Sequence, residues 1–183
     1  MVKEITSASN PVLKHLRALV SSKKSRQESE QFIVEGWRGI KTLLEHESGH
    51  YALEQIVIAE SWNGEPLPGS TETIRLPDSL FGRISDVRNA QGIMGVVRRT
   101  SATAPIPESG NLLLLDNLRD PGNMGTLIRS VVGAGFDGIL LYGDCVEPFN
   151  PKSIRSSMGT CLLNTSPSPR DEQFHLVCRL LLE

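Results

Sequence analysis

The sequence predicts an α/β protein with a largely parallel sheet, because short apolar runs alternate with segments of helical spacing along most of its 183 residues. A second observation is the segment "TSATAPIPESGN", residues 100–111, which contains two prolines and small polar residues without periodicity. Such a composition is typical of a linker. We therefore expect two α/β parts, residues 1–99 and the chain from residue 112 onward.

The first predicted helix lies in "SNPVLKHLRALVSS". Asn10 is expected as its N-cap and Pro11 as its first helical residue. The spacing of its apolar residues by three and four predicts one buried stripe. That stripe consists of Val12, Leu13, Leu16, Leu19 and Val20. On the opposite face we expect Lys14 and Arg17, and "SSKKSR" continues the positive charge beyond the helix.

The remaining elements of the first part alternate in type. Strands are predicted in "QFIVEG", "LEQIVIAE", "TIRLP" and "GIMGVVRR". Helices are predicted in "WRGIKTLLEHE", with Ile40, Leu43 and Leu44 facing inward, and in "DSLFGRISDV", with Asp78 as its cap. Together these elements predict an α/β sandwich that ends near Arg99.

The second part opens with "LLLLDNLRDPGNMGTLIRS", residues 112–130. Leu112–Leu115 is a continuous apolar run, which predicts a strand covered on both faces. A glycine-bearing loop and an apolar helical face follow; Gly135 or Gly138 is expected to end the helix before the strand "GILLYG". Ligands of open parallel sheets bind beyond the carboxyl ends of the strands, so this loop is the expected site.

The loop itself leaves several readings open. It has Gly122 and Gly125 in a GxxG arrangement but lacks GxGxxG and GxxxxGK[ST], and a tight turn needs glycine in any case. Asn123 either caps the helix or faces a ligand. Arg129 opposes the helix dipole, which favours a bound anion, although an exposed surface arginine explains it equally simply. Asn150 and Pro151 start another cationic helix, which contains Lys152 and Arg155 and favours a phosphate-bearing ligand.

Charge is unevenly distributed along the chain. Residues 1–27 contain six basic residues and one acidic residue, whereas the remainder contains 13 basic and 20 acidic residues. A basic amino-terminal arm on an otherwise acidic chain indicates contact with a polyanion, or else a solvated helix face.

Other classes of function are disfavoured. No apolar run approaches the ~18 residues that span a bilayer, and no targeting segment is recognisable, so we expect a cytoplasmic protein without a membrane partner. The three cysteines show no CxxC pair, which disfavours a disulfide framework or a zinc site. His46 and His50 are four residues apart, but no third ligand is near, and we expect no metal.

Taken together, the quoted loop and its continuation resemble a known enzyme family. The stretch "DNLRDPGNMGTLIRSVVGAGFDGILLYGDCVEPFNPKSIRSSMGT" resembles the first signature region of the SpoU (TrmH-like) RNA ribose 2′-O-methyltransferases. The stretches "TSASNPVLKHLRAL", "FIVEGWR" and "RNAQGIMGVV" resemble the ribosomal-protein-like RNA-binding domain often fused to that catalytic domain. The resemblance covers residues 1 to about 160.

The resemblance implies S-adenosylmethionine as methyl donor and a structured, often ribosomal, RNA as acceptor. It assigns Asn123 and Arg129 to the catalytic centre. Because a guanidinium stays protonated, we expect Arg129 to hold an RNA phosphate and stabilise a developing oxyanion, with Asn123 ordering the loop and the ribose. No residue is assigned to the cofactor.

The first part would then bind RNA through its phosphates. Arg155 is expected to add a contact from the second part, and Glu35 and Arg38 match an E-G-x-R turn that is equally consistent with a local ion pair. The expected RNA-binding residues are Lys14, Arg17, Lys23, Lys24, Arg26, Arg38 and Arg155.

After residue 160 the chain departs from the family. Residues 112–160 resemble the amino-terminal part of a methyltransferase domain of the α/β-knot class, and residues 161–183 form an atypical tail. We expect a truncated chain with exposed apolar strands, poor cofactor binding and doubtful dimerisation, although a complete family member would be a homodimer. The alternative to an enzyme is a non-catalytic RNA-binding chain; a nucleotide-dependent enzyme lacks its phosphate fingerprint.

Overall fold

The computed structural model describes residues 2–45, 50–100 and 110–162 and the backbone of residues 180–182. The chain divides into two compact units, one of Met1–Lys41 and Ala52–Arg99 and the other of Thr42–Tyr51 and Thr100–Glu183. Most of the predicted linker, residues 101–109, and of the predicted tail, residues 163–179, lies outside the described residues. No helix within the described ranges is long and apolar enough to cross a membrane.

The chain as far as Arg99 alternates between strands and helices, as the sequence predicts. The strands are β1 (Val2–Glu4), β2 (Gln31–Glu35), β3 (Tyr51–Ala59), β4 (Glu72–Leu76) and β5 (Ile93–Arg99). The helices are α1 (Pro11–Ser21), α2 (Lys23–Ser29), α3 (Trp37–Glu45) and α4 (Asp78–Ile84).

These strands form one sheet in the order β1-β4-β3-β5-β2. Strand β4 pairs parallel with both β1 and β3, in line with the predicted parallel pairing. Strand β2 instead pairs antiparallel with β5, with Gln31 opposite Arg98. The apolar pattern of a strand records which faces are covered but not the direction of the neighbour, so the sequence could not predict this reversal. The short strand β1 and the helix α2 were also missed.

Helix α1 forms as its sequence predicts. The Asn10 side chain accepts a hydrogen bond from the Val12 amide at 2.9 Å, and proline occupies the first helical position. The apolar stripe is buried, with Leu13, Leu16 and Leu19 fully inaccessible to solvent. Those three leucines pack into a core that includes residues of strands β2 to β5 and of helix α4.

Two local predictions in this part are wrong. Leu44 lies in the last turn of α3 and is 36% exposed, whereas Ile40, one turn earlier, is buried. Asp78 does not cap α4, because the N-cap position is Pro77 and makes no side-chain cap bond. The Asp78 carboxylate instead accepts a hydrogen bond from the Ser61 amide, in the segment after β3, at 3.0 Å.

Arg26 is also misassigned by the sequence. Its residue is 4% exposed, and its guanidinium donates to the carbonyl oxygens of Leu19 and Val20 at 2.5 and 3.0 Å. Those carbonyls lie at the carboxyl end of α1, where backbone acceptors lack partners within the helix. Arg26 therefore stabilises the junction between α1 and α2 and does not present its charge to solvent, contrary to the prediction of an exposed cation.

The second unit contains a β-α-β arrangement followed by a short helix. Its elements are β6 (Leu112–Asp116), α5 (Pro121–Gly133), β7 (Gly138–Tyr142), α6 (Pro151–Ser156), a 3₁₀ turn (Thr160–Leu162) and β8 (Leu180–Leu182). The strands pair in the order β6-β7-β8, and both pairings are parallel. Helix α5 ends as predicted, with Gly135 at φ +69° just beyond its last residue.

Strand β6 is less covered than its composition suggests. Leu115 is buried, but Leu114 is 61% exposed. The expectation of a strand covered on both faces is therefore wrong for Leu114 among the described residues.

Helices α5 and α6 approach each other closely at Gly125. A Cβ atom at this position would lie 2.3 Å from the Ser153 carbonyl oxygen, 2.6 Å from Ser156 Cβ and 2.7 Å from the Ser157 amide nitrogen. Two of these atoms belong to the backbone and cannot rotate away. The second glycine of the GxxG arrangement is therefore required for helix packing, whatever the loop binds.

We predict that Gly125→Ala lowers the free energy of unfolding by about 1–3 kcal/mol, because it overpacks this contact. Gly133→Ala is the matched control in the same helix, where an added Cβ would meet nothing within 4 Å. It should be neutral or stabilising by up to about 1 kcal/mol, since alanine favours a helix over glycine. Urea denaturation measures both, and equal effects of the two substitutions would contradict the packing argument.

Candidate active site

The loops that follow β6 and β7 are joined by Asn117. Its amide donates to the Tyr142 carbonyl at 3.1 Å, and its side-chain oxygen accepts from the Asp144 amide at 2.9 Å. Its side-chain nitrogen donates to Asp116 Oδ1 at 2.6 Å. Asn117 adopts φ +51°, and a Cβ at Gly143 would lie 2.7 Å from its side-chain oxygen. A non-glycine residue at 143 would therefore displace this amide.

Two further contacts hold the same loops together. The Leu118 amide donates to the sulfur of the buried Cys145 at 3.3 Å, and the Val146 amide donates to the Leu118 carbonyl at 2.7 Å. Arg119 lies 3.7 Å from Asp144 across the exposed side of the loops. The carboxyl ends of two parallel strands thus form one hydrogen-bonded platform, at the edge where open parallel sheets bind ligands.

Helix α5 begins at this platform with Asp120 as its N-cap. Asp120 Oδ1 accepts from the Asn123 amide at 2.7 Å, and Oδ2 lies 3.7 Å from Lys152 Nζ of helix α6. The Asn123 amide and, secondly, the charge of Lys152 hold the pKa of Asp120 below its ordinary value. The prediction that Asn123 itself caps the helix is therefore wrong, because Asp120 already occupies that position.

Asn123 and Arg129 both lie on the exposed side of α5. The opposite side buries Met124, Gly125, Ile128 and Val131. The Arg129 guanidinium is 2.9 Å from the sulfur of Met158, a half-exposed residue with φ +55° in the turn after α6. The structure thus brings Arg129 to the Met158 turn, while Asn123 stays at the first turn of the helix with its side chain exposed.

Helix α6 offers less free charge than the sequence suggests. Its N-cap is Asn150, as predicted, and the Asn150 side chain accepts from the Lys152 amide at 2.9 Å. The ammonium of Lys152 is shared with Asp120. Arg155 is half-buried in the last turn of α6. The structure therefore gives Lys152 a role between two helices, and the predicted RNA contact of Arg155 stays a prediction.

Sequence reasoning missed the residues that join the loops after β6 and β7 and that cap α5. Asn117, Arg119, Asp120 and Asp144 were not singled out, although Asp120-Pro121 repeats the arrangement of an Asx residue before proline seen at residues 10–11 and 150–151. That signal could have identified the cap. The ties between Asn117 and the loop after β7 have no signal in the sequence, because their partners lie some 27 positions apart.

The cationic residues of the first unit fall on several elements. Lys14 is exposed and Arg17 half-exposed on α1, while Lys23 and Lys24 are exposed on α2. Lys24 lies 3.7 Å from Glu28, one turn along its own helix. The exposed residue Arg38 lies on α3. Arg26 is buried in the α1–α2 junction, and Arg38 lies on a different helix. The candidate RNA surface on α1 and α2 therefore consists of Lys14, Arg17, Lys23 and Lys24.

Metal and thiol chemistry have no support in the described part of the chain. No three histidine, cysteine or acidic side chains there are grouped so as to hold a metal ion, and His46 lies outside the described residues. Burial raises the pKa of the Cys161 thiol to about 11, so this thiol stays protonated at neutral pH.

Both parts of the chain match known families. The MRM3-like substrate binding domain matches residues 10–95, and the SpoU rRNA Methylase family matches residues 110–166. The second part of the chain is therefore similar to SpoU rRNA methylases. The loop after β6, helix α5, strand β7 and helix α6 all lie within the SpoU methylase match.

Curated relatives of the chain are named as methyltransferases. An uncharacterized tRNA/rRNA methyltransferase of Synechocystis is 29% identical over 95% of this chain and 67% of its own length. A 23S rRNA guanosine 2′-O-methyltransferase of Bacillus subtilis is 28% identical over 87% of this chain and 62% of its own length. The human mitochondrial rRNA methyltransferase 3 is 45% identical over 41% of this chain.

Solved structures agree on the fold. An AdoMet-bound rRNA methyltransferase from Sinorhizobium meliloti superimposes with a TM-score of 0.69 at 28% identity, over 86% of this chain and 61% of that chain. The SpoU methyltransferase AviRb from Streptomyces viridochromogenes, in complex with AdoMet, gives a TM-score of 0.68 at 25% identity. The chain spans about three fifths of the length of these solved relatives. The predicted α/β class is confirmed.

We predict that the stabilising effect of Asp120 is lost in acid. A carboxylate whose pKa is lowered in the folded state stabilises the fold above its unfolded pKa, and this stabilisation disappears as the pH falls through the folded pKa. The stability difference between the wild type and Asp120→Asn, which retains an N-cap side chain, should therefore shrink between neutral pH and about pH 3.

Urea denaturation at the two pH values measures this difference. Asn123→Ala is the control, because the donor to Asp120 is the backbone amide of Asn123, which alanine keeps. A wild-type advantage over Asp120→Asn that is the same at both pH values would contradict the proposed electrostatic role of Asp120.

Proposed function

We propose that this chain acts in the transfer of a methyl group from S-adenosylmethionine to a ribose 2′-hydroxyl of structured RNA, with ribosomal RNA as the substrate class. The observation that carries the proposal is the position of Asn123 and Arg129. Both side chains lie on the exposed side of α5, the helix that begins at the joined carboxyl ends of β6 and β7, within the segment that matches the SpoU methylase family.

The chemistry requires an activated hydroxyl. The 2′-oxygen forms a bond to the methyl carbon as the bond from that carbon to sulfur breaks, and the hydroxyl proton is lost. A guanidinium does not accept this proton, because it remains charged in proteins. We assign Arg129 to a bidentate contact with an RNA phosphate and to stabilisation of negative charge that develops on the ribose oxygen.

The position of Arg129 is compatible with this role. Its guanidinium contacts a thioether, which is a weak acceptor, and the residue is exposed. An anion can therefore displace Met158 at small energetic cost. Asn123 lies two turns nearer the start of α5, where its side-chain amide is available to order the ribose while its backbone amide remains bonded to Asp120.

The polar residues at the carboxyl ends of β6 and β7 hold the loops and the start of α5 together, and we do not assign them as cofactor ligands. The side chains of Asn117, Asp120 and Asp144 are engaged with backbone amides or with neighbouring cations. We therefore assign none of them to S-adenosylmethionine, whose role as donor we propose because two solved relatives are described with AdoMet. The donor supplies an electrophilic methyl group; the residues of this chain position the acceptor.

RNA affinity is assigned to the first unit. Lys14, Arg17 and Lys23 are cationic residues on the adjoining helices α1 and α2. Such residues bind phosphates without reading sequence, and their contribution falls as salt rises. The match of residues 10–95 to a substrate-binding domain supports this assignment.

We predict that Arg129→Lys slows single-turnover methylation by about 10- to 100-fold, because lysine keeps the charge but loses the planar fork. The measurement is transfer of labelled methyl from S-adenosylmethionine to deproteinised ribosomal RNA by the full chain. Ser130→Ala, a change at the exposed neighbouring position, is the control and should retain the wild-type rate.

Two results would count against the assignment. Full activity of Arg129→Lys would exclude a bidentate requirement. No methyl transfer by the wild-type chain, with RNA still bound, would reject the enzymatic proposal in favour of a non-catalytic RNA-binding protein.

We further predict that alanine substitution of Lys14, Arg17 and Lys23 together flattens the salt dependence of RNA binding. The slope of log K against log salt should fall by up to about 3, since each phosphate contact contributes about 0.7–0.9. Filter binding at several salt concentrations measures it. Arg88→Ala, which removes an exposed cation elsewhere in the first unit, should leave the slope near that of the wild type. An unchanged slope in the triple variant would refute the assignment of phosphate binding to these three residues.

A further inference from the structure

The first unit contains a pocket that the proposed methyl transfer does not use. Its volume is about 320 Å³, and it lies between strands β1 and β4 and the loop of residues 60–71. The residues that line it include Trp62, Glu65, Thr71, Thr73 and Arg75. This combination of an aromatic face with a few convergent polar groups is typical of a ligand site.

Trp62 is held in place before any ligand binds. Its amide donates to the Ala59 carbonyl at 3.0 Å, in the turn that leaves β3. Its ring lies directly against Gly64, where an added Cβ would come within 2.0 Å of Trp62 Cζ2. Glycine at 64 thus lets the indole lie flat on the backbone of the loop. An aromatic side chain that is ordered in advance binds a flat ligand at a low entropic cost.

A second indole supports the first. The ring centroids of Trp37 and Trp62 are 6.0 Å apart with an interplanar angle of 48°. Trp37 Nε1 donates to Glu65 Oε1 at 2.8 Å, and Lys41 Nζ lies 3.5 Å from the other oxygen of Glu65. These contacts, the hydrogen bond from Trp37 first, keep the pKa of Glu65 below its ordinary value. The pocket therefore presents a carboxylate at neutral pH.

The polar groups discriminate between parts of a nucleotide. The carboxylate of Glu65 repels a phosphate but accepts hydrogen bonds from the N–H groups on the edge of a base. Thr71 and Thr73 add hydroxyls that donate or accept. Arg75 is exposed on β4 and offers a cation to a phosphate outside the pocket. The arrangement favours a base inside and its phosphate at the rim.

We propose that this pocket binds an unpaired nucleobase of the RNA, stacked on Trp62 with its polar edge toward Glu65 and its phosphate toward Arg75. The inference rests on the proposed RNA substrate and adds to it a contact that recognises a single-stranded or flipped-out nucleotide. Proteins that bind unpaired RNA commonly stack bases on aromatic side chains in this way.

The tryptophan content makes the test direct. The chain contains two tryptophans, Trp37 and Trp62, and both belong to this cluster. Tryptophan fluorescence of the full chain is titrated with a short single-stranded oligoribonucleotide of mixed sequence and with an abasic oligomer of the same length and charge. Saturable quenching by the oligoribonucleotide but not by the abasic oligomer is the expected result.

Substitutions at Trp62 then test whether this residue is the one on which the base stacks. Trp62→Ala should weaken binding of the oligoribonucleotide about 5- to 100-fold without changing the salt slope, since a stacked base contributes no phosphate contact. Trp62→Phe should retain most of the affinity, because phenylalanine also offers a ring face. Leu44→Ala, which truncates an exposed apolar side chain on α3, is the matched control and should bind as the wild type does. Circular dichroism checks that each variant is folded.

The outcomes separate this inference from the proposed function. Equal binding of both oligomers, with strong salt dependence and no quenching, would overturn the base pocket and leave phosphate binding by the basic surface intact. Binding of neither oligomer nor structured ribosomal RNA would overturn the proposed RNA function and the pocket with it. If Trp62→Ala does not fold, the comparison of the two oligomers on the wild-type chain still decides whether a base binds beside the tryptophans.

Discussion

The close approach of α5 and α6 at Gly125 is the contact on which the second unit depends. No side chain larger than hydrogen fits between the two helices at this point. Their separation sets where Lys152 meets Asp120 and where the turn at Met158 meets Arg129. A small displacement of α6 would alter both ends of α5 together, because close-packed elements do not deform continuously.

A second constraint comes from the parallel pairing of β6 and β7. Parallel neighbours end at the same edge of a sheet, so their loops meet whether or not a ligand is present. Asn117 joins these loops through its backbone amide and its side-chain oxygen, while its side-chain nitrogen donates to the neighbouring Asp116. Polar residues that suggest ligand contacts from their sequence alone are thus partly engaged in building the edge itself.

The two proposals for the first unit give it two chemically different contacts with RNA. In the first, the cations of α1 and α2 neutralise phosphates, an interaction that is long in range and sensitive to salt. The pocket beside Trp62 offers a flat aromatic face with a carboxylate, which rejects phosphate and accepts the edge of a base. Charge would attract any RNA, whereas a stacking pocket selects places where a nucleotide is unpaired.

The sequence by itself determined most of the elements and the family resemblance. The Asx-Pro pairs at residues 10–11 and 150–151 predict the starts of α1 and α6, and periodicity predicts α5 and most of the strands, because these signals are local and each depends on a few neighbouring residues. Only the tertiary structure decided that Arg26 is buried, that Asp120 and not Asn123 caps α5, and that β2 runs against β5. Each of these outcomes depends on groups brought together from elsewhere in the chain or on competition between equally suitable neighbours. A local pattern states which side chains can form an interaction, but the packing of distant segments decides which of them does.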